Sequence, residues 1–308
     1  IYTLSLHDAL PISIYIKEDV EYILDLASKI KAGEIEDKPL EGKTLAMIFE
    51  KSSTRTRLSF DVGMYQLGGR AIFLSSNDLQ MGRGEPIYDT AKVLSRFVDG
   101  IMIRAKKHSD VEELAKHSEV PVISGLTDLE HPCQSLADML TIKEHLGGWK
   151  GKKICFVGDG NNVCNSLLLI APLLGMDMSV ACPKGYEPSE DILKTAKEYA
   201  EENNTDITIT DDIGVALENV DVVYTDVWVS MGDEEEAAQR EIDFAPFQVN
   251  SDLMSLANDG AIFMHCLPAI RGQEVTADVI DGEQSVIFDE AENRMHAQKA
   301  VLYYYLKS

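Results

Sequence analysis

Apolar and polar positions alternate along this chain with two periods, and the period switches repeatedly. Val20, Ile23, Leu24, Leu26 and Ile30 recur at helical spacing among acids and lysines, so Ser13–Lys31 reads as an amphipathic helix. Lys43–Glu50 reads as a buried strand, and a helix follows from Thr54 to Leu67, stopped by Gly68 and Gly69. The couplet then repeats as strand Arg70–Ser75, helix Pro86–Phe97, strand Gly100–Arg104, helix Ser109–His117, strand Val120–Ser124 and helix Pro132–Leu146. Gly147-Gly-Trp-Lys-Gly151 reads as a boundary, after which the pattern restarts. Strand Lys153–Gly158, helix Val163–Leu174, strand Met178–Cys182 and helix Glu190–Glu202 come next. Ile207–Thr210, Val220–Thr225, Ala261–Cys266 and Ser285–Phe288 read as further strands, and Glu290–Leu306 as a last helix. Strands alternating with helices predict an α/β fold of two parallel-sheet domains. The expected domains are residues 13–147 and 148–289, with 290–308 a C-terminal helix packing back toward the first. The carboxyl ends of the strands, facing a cleft between the domains, are where a ligand is expected.

Composition narrows the function classes. The chain has 308 residues, with Lys plus Arg 28 against Asp plus Glu 52 and a net charge of −24. That balance argues against nucleic acid or an anionic membrane as partner, because both reward clustered cations. The longest apolar run, Leu167–Met176, is half a membrane span and contains Pro172. Cys133, Cys155, Cys164, Cys182 and Cys266 are scattered, odd in number and without a C-x-x-C pair. They suit a cytoplasmic, reducing location better than a disulfide or zinc framework. Residues 1–12 lack the basic and long apolar regions of a secretory signal and resemble a translated sequencing-adapter oligonucleotide. They are set aside from the fold reading.

Five motifs carry candidate chemistry. Lys51-Ser-Ser-Thr-Arg-Thr-Arg57 lies where a strand ends and a helix begins, with three cations in seven residues and no acid. Unpaired helix N–H groups, hydroxyls and guanidinium forks suit phosphate. His131-Pro-Cys-Gln134 occupies another strand-to-helix junction, offering an imidazole N–H to a carbonyl oxygen and an amide to a carbamoyl-like group. Gly158-Asp-Gly-Asn-Asn162 invites a dinucleotide reading, but Val163 stands at the third glycine position and no acid ends the next strand. Asn161 or Asn162 suits a polar substrate instead. Asp226-Val-Trp-Val-Ser-Met-Gly232 follows a strand and can hold an ammonium group. His265-Cys-Leu-Pro268 ends a strand, and its two adjacent side chains point to opposite faces, so His265 does not serve Cys266 as a base. A backbone role for Cys266 and Leu267 is expected, with Leu267–Pro268 a candidate cis peptide.

Together these motifs, over about Ser13 to Ser308, resemble the transcarbamylase family in its ornithine-type branch. The resemblance implies transfer of a carbamoyl group from carbamoyl phosphate to the δ-amine of L-ornithine, giving L-citrulline and phosphate. It implies no cofactor or metal, because the donor is already activated. Ser53, Thr54, Arg55 and Thr56 would hold the phosphate, and Arg104, His131 and Thr56 the carbamoyl oxygen. Gln134 and the main chain of Cys266 and Leu267 would hold the carbamoyl nitrogen. Arg294 would contact carbamoyl phosphate from the last helix, and Gln80 would reach it in a neighbouring subunit. Asn162, Asp226, Ser230 and Met231 would hold the amino-acid end of ornithine, with Asp226 near Cys266 orienting the amine. A homotrimer or a multiple of trimers, and a role in arginine biosynthesis or its catabolic reverse, are further implications. The rivals are a carbamoyltransferase for another amine, such as putrescine, and an inactive binding protein of the same fold.

Overall fold

A computed structural model describes residues 16–35, 37–229 and 234–307. Residues 1–12, Ser230 and Met231 lie outside them. The chain divides into two compact units, one running to Ala137 and resuming at Arg294, the other spanning Asp138–Asn293.

The first unit opens with α1 (Lys17–Lys31), whose Val20, Ile23, Leu24, Leu26, Ala27 and Ile30 are buried on one face. Then follow β1 (Thr44–Phe49), α2 (Thr54–Gln66), β2 (Arg70–Ser75), α3 (Ile87–Leu94), β3 (Gly100–Arg104), α4 (His108–His117), β4 (Val122–Leu126) and the start of α5 (Pro132–Leu146). The four strands form a parallel sheet in the order β2-β1-β3-β4. β1 and β3 are neighbours, and Phe49 pairs with Arg104, so the junctions carrying Ser53 and Arg104 leave the sheet at one level. Gly125 permits a close approach in β4: a Cβ there would sit 2.8 Å from Met102 Sδ and 3.5 Å from the Thr56 methyl.

The second unit contains β5 (Lys153–Val157), α6 (Asn162–Leu173), β6 (Asp177–Ala181), α7 (Glu190–Asn203), β7 (Ile207–Thr210), α8 (Ile213–Leu217), β8 (Val222–Thr225), α9 (Ala237–Phe244), α10 (Ser251–Met254), β9 (Ile262–His265) and α11 (Ala277–Ile280). Its parallel sheet runs β7-β6-β5-β8-β9. Val157 pairs with Thr225, and Thr225 with His265. The chain therefore leaves the three strands at the same level just before Asn161, Asp226 and Cys266. α6 is buried almost throughout, Pro172 included, which accounts for the apolar run there. No described helix is long and apolar enough to cross a membrane.

One expected strand is absent. Ser285–Phe288 makes a single parallel bridge, Phe263 with Ser285, before α12 (Ile287–Leu306) begins. Val286 and Ile287 are buried while Phe288 is 70% exposed, so the apolar triplet is a helix entry and not a core-facing strand. Asp289 and Glu290 lie in its first turn, where the helix dipole favours acids. The short helices α8 to α11 were not expected, because elements of four to eight residues are too short to establish a period. The two compact units meet inside α5 and α12.

Candidate active site

In the first unit the phosphate-type motif starts α2. Ser53 caps the helix, its Oγ accepting the Thr56 N–H at 3.3 Å, and the first turn carries no acid. The positive end of the helix dipole is thus left for an anion. Thr56 is buried and Arg55 partly so. Arg57 departs from the phosphate reading: its guanidinium stacks on the Phe73 ring, 3.9 Å from the centroid.

Arg294 organises what surrounds Thr56. It is buried, and its Nη1 donates to Gln134 Oε1 at 2.7 Å while Nη2 donates to Thr56 Oγ1 at 2.9 Å. Because Thr56 Oγ1 accepts from Arg294, its own hydroxyl proton is directed to another acceptor. Arg104 ends β3, and Arg104, His131 and Gln134 are all buried. Burial, then the charges of Arg294, Arg104 and Arg55, hold the His131 imidazole well below its ordinary pKa. A neutral imidazole among three guanidiniums can give an N–H to a carbonyl oxygen without adding a charge. The charges of Arg55, Arg104 and Arg294 thus act on the His131 ring, and Arg294 also holds Gln134 and Thr56. Gln80 is not gathered with them. It begins a turn, Gln80–Arg83, and its side chain is exposed.

In the second unit Asp226 is the centre. It is 8% exposed, and Oδ1 accepts from Val227 N at 2.8 Å and from the Cys266 thiol at 3.1 Å. Asn161 caps α6, accepting from Val163 and Cys164 N–H, while its Nδ2 donates to Asp226 Oδ2 at 2.9 Å. The asparagine touching Asp226 is therefore Asn161, and Asn162, the residue expected at the site, is the first helical residue beside it. Two adjacent asparagines give the sequence no means to separate cap from neighbour. Gly160 has its own cause: a Cβ there would lie 2.3 Å from Pro188 N. A close-packed backbone, and not a dinucleotide, accounts for that glycine.

Sequence reasoning missed Arg240, a nearly buried cation in an acidic stretch. It pairs with Asp159 Oδ2 at 2.6 Å, donates to Trp228 O at 3.0 Å, and is joined through Nε to Glu236 at 3.1 Å. It thereby ties the loop after β5 to the loop carrying Asp226. The lone arginine four residues after Glu236 was the available signal.

Cys266 follows β9. Burial, then the Asp226 charge, push its thiol well above the ordinary value, so sulfur is a thiol that donates and not a thiolate that attacks. The His265 ring bonds through Nε2 to Glu274, at 3.2 Å, and through Nδ1 to the Leu267 N–H, and not to the thiol. The Leu267–Pro268 peptide is cis, as the sequence suggested. Asp226, His265 and Cys266 place ligand-type atoms within 4.8 Å of one another. Hydrogen bonds already engage all three, through the Cys266–Asp226 contact and the His265 ring partners Leu267 and Glu274. Behind them Tyr224 donates to Glu290 Oε1 at 3.1 Å and lies 3.5 Å from Asp138 Oδ1. Burial, then Asp138, raise the Glu290 carboxyl well above its usual range.

Known proteins match along nearly the whole chain. A family model for the aspartate/ornithine carbamoyltransferase carbamoyl-P binding domain matches residues 7–144, and one for the Asp/Orn binding domain of the same family matches 150–305. An ornithine carbamoyltransferase from Methanobrevibacter smithii is 78% identical over 292 residues, covering 95% of this chain and 97% of the relative. The solved ornithine carbamoyltransferase from Pyrococcus furiosus is 52% identical with a TM-score of 0.94, covering 99% of both chains. An anabolic ornithine carbamoyltransferase from Campylobacter jejuni gives 43% and 0.90, covering 96% of this chain and 97% of its own. This chain belongs to the aspartate/ornithine carbamoyltransferase family.

Proposed function

We propose that the protein transfers the carbamoyl group of carbamoyl phosphate to the δ-amine of L-ornithine, releasing L-citrulline and phosphate. The observation that carries this reading is the buried Arg294 fork, which joins Thr56 Oγ1 at the start of α2 to Gln134 Oε1 at the start of α5, with buried His131 three residues before Gln134. That arrangement suits a dianionic phosphate next to a carbonyl that must be polarised. Ser53, Thr54, Arg55 and Thr56 hold the phosphate at the α2 N-terminus. Arg104, His131 and Thr56 stabilise the oxyanion as the carbonyl carbon becomes tetrahedral. Gln134 and the main-chain oxygens of Cys266 and Leu267 accept from the carbamoyl nitrogen. Arg294 fixes both Gln134 and Thr56, and so sets two of these groups at once.

Asn162, Asp226, Ser230 and Met231 hold the amino-acid end of ornithine. The attacking amine needs its lone pair, although a free alkylammonium has a pKa of about 10.4. A dry site favours the neutral amine. The new N–C bond forms first and gives the tetrahedral carbon; as that intermediate collapses the C–O bond to phosphate breaks, and the departing phosphate takes the amine proton. No metal or cofactor enters this scheme.

The assembly in this reading is a trimer or a multiple of trimers. Leu58, Val62 and Tyr65 follow one another at helical spacing on α2 and are 55%, 36% and 78% exposed, with Phe73 39% exposed. Such an apolar stripe on the outside of the first unit supports contact with another subunit. An exposed Gln80 supports the role of reaching a neighbour's substrate. We place the reaction in the cytoplasm, in arginine biosynthesis. Citrulline formation measured with ornithine and putrescine in parallel tests the function: turnover of putrescine in preference to ornithine would overturn the substrate assignment.

A further inference from the structure

The His265 ring is fully buried, and carbamoyl transfer as proposed gives it no chemical step. Both of its nitrogens are nevertheless engaged. Leu267 N–H donates to Nδ1 at 2.9 Å, so Nδ1 is an acceptor and the ring proton lies on Nε2. Nε2 faces Glu274 Oε1 at 3.2 Å, and Glu274 is as deeply buried as the histidine. The same glutamate oxygen accepts the Ile270 N–H at 2.6 Å, closing the loop that runs between them. The main chain of His265 is held too, its N–H donating to Glu290 Oε2 at 2.9 Å.

Leu267 gives this arrangement a purpose. Its φ is 57°, in the left-handed region that non-glycine residues rarely adopt. A leucine stays there only when its surroundings hold it. The bond from its N–H to Nδ1 is such a hold, and it fixes the plane of the Cys266–Leu267 peptide. An imidazole suits the task because it offers an acceptor at one corner and a donor at another on a rigid ring.

We propose that His265 is a positioning residue: locked in its Nε2–H form by Glu274, it accepts the Leu267 N–H and sets the Cys266–Leu267 main chain toward the carbamoyl nitrogen. This rests on the proposed function, which assigns those main-chain oxygens to that nitrogen. It accounts for a histidine beside a cysteine that it does not activate.

Two pairs of variants and one measurement on the unaltered protein test it. In His265→Asn the amide oxygen can stand near the Nδ1 position, whereas His265→Gln reaches the Nε2 position and leaves Leu267 N–H without its acceptor. Glu274→Gln keeps an acceptor for Nε2–H and for Ile270 N–H, and Glu274→Leu removes it. Within each pair the second variant should have a kcat about tenfold or more below the first, the effect of leaving one buried donor unmade. Inhibition by inorganic phosphate should be the same in all four, because the phosphate groups lie elsewhere. Equal kcat within both pairs would overturn the proposal.

If the His265 variants do not fold, the Glu274 pair and the 15N histidine spectrum of the unaltered protein still decide. The spectrum should show Nδ1 without a proton and Nε2 with one, and the Leu267 amide should exchange slowly. The opposite tautomer, or fast exchange at Leu267, would overturn the proposal whether or not the enzyme turns over. Absence of citrulline formation by the unaltered protein would overturn the functional reading alone.

Discussion

Arg294 Nη1 donates to Gln134 Oε1 at 2.7 Å across 160 residues of sequence. The other arm of the same guanidinium reaches Thr56, 238 residues away, at 2.9 Å. One planar fork therefore connects the last helix with the two strand-to-helix junctions that carry the strongest motifs. Lysine is a point donor on a flexible stem and cannot serve both partners with fixed geometry.

Arg294→Lys should accordingly weaken carbamoyl-phosphate binding while the protein stays folded. A lost charge-assisted hydrogen bond to a buried partner is worth about 1.5–3 kcal/mol, or roughly 10–100-fold in affinity. Calorimetric titration with carbamoyl phosphate, beside a circular-dichroism melt, reads both parts. Unchanged affinity would show that Thr56 and Gln134 hold their places without Arg294.

Cys266→Ser should keep measurable activity. The thiol donates to Asp226 at 3.1 Å, and a serine hydroxyl can make the same bond. A sulfur kept protonated by burial and by Asp226 is a poor nucleophile. Mass spectrometry of the enzyme quenched during turnover should find no carbamoyl adduct on Cys266, and a stoichiometric adduct would refute direct transfer.

Much of this arrangement was legible in the sequence. Strands Arg70–Ser75, Gly100–Arg104 and Ile207–Thr210 and helix Pro132–Leu146 have the bounds their patterns imply. The strands read as short apolar runs bounded by polar residues, and the strand-end motifs read as chemistry because polar residues cluster there. The misreadings share another cause. Val286-Ile287-Phe288 is too short an apolar run to separate a strand from a helix entry. Arg240 sits in a stretch that looks like solvated surface, and only its contacts with Asp159 and Trp228 show it buried. The partner of His265 is nine residues away in a loop, where no periodicity links the two.

His131 should show no titration near pH 6.5 in the kcat/KM profile for carbamoyl phosphate. Its folded-state pKa is lowered, first by burial and then by three arginines, so the ring is neutral through that range. The sign follows: lowering the pH protonates it only well below 6.5, and activity dependent on the neutral ring is lost there and not at neutrality. Proton NMR of the ring resonances across pH 5–8 measures this without assaying turnover. A midpoint at or above 6.5 would mean the guanidiniums do not act on the ring as described.

Glu130 precedes His131, is 3% exposed, and its carboxyl is raised from 4.5 to about 7, mainly by burial and then by the charge of Glu112. Its backbone is fixed to Thr127, N–H to Oγ1 at 3.1 Å and O to the Thr127 N–H at 2.9 Å. The Thr127 hydroxyl is in turn 3.0 Å from His108 Nδ1. The folded state thus holds this proton more tightly than the unfolded chain does. The group's contribution to stability is fully present below pH 4.5 and is lost as pH rises through about 7. The size of the loss is about 3 kcal/mol, from a shift between 4.5 and about 7. Glu130→Gln carries no titrating proton there and keeps a similar shape. It should match the parent at low pH and become more stable than the parent as pH rises, with the gap levelling off above about 7. Denaturant unfolding at several pH values measures that gap directly. A gap that stays flat from pH 4.5 to 8, or that narrows as pH rises, would show that Glu130 finds a cationic or hydrogen-bonding partner that offsets its burial.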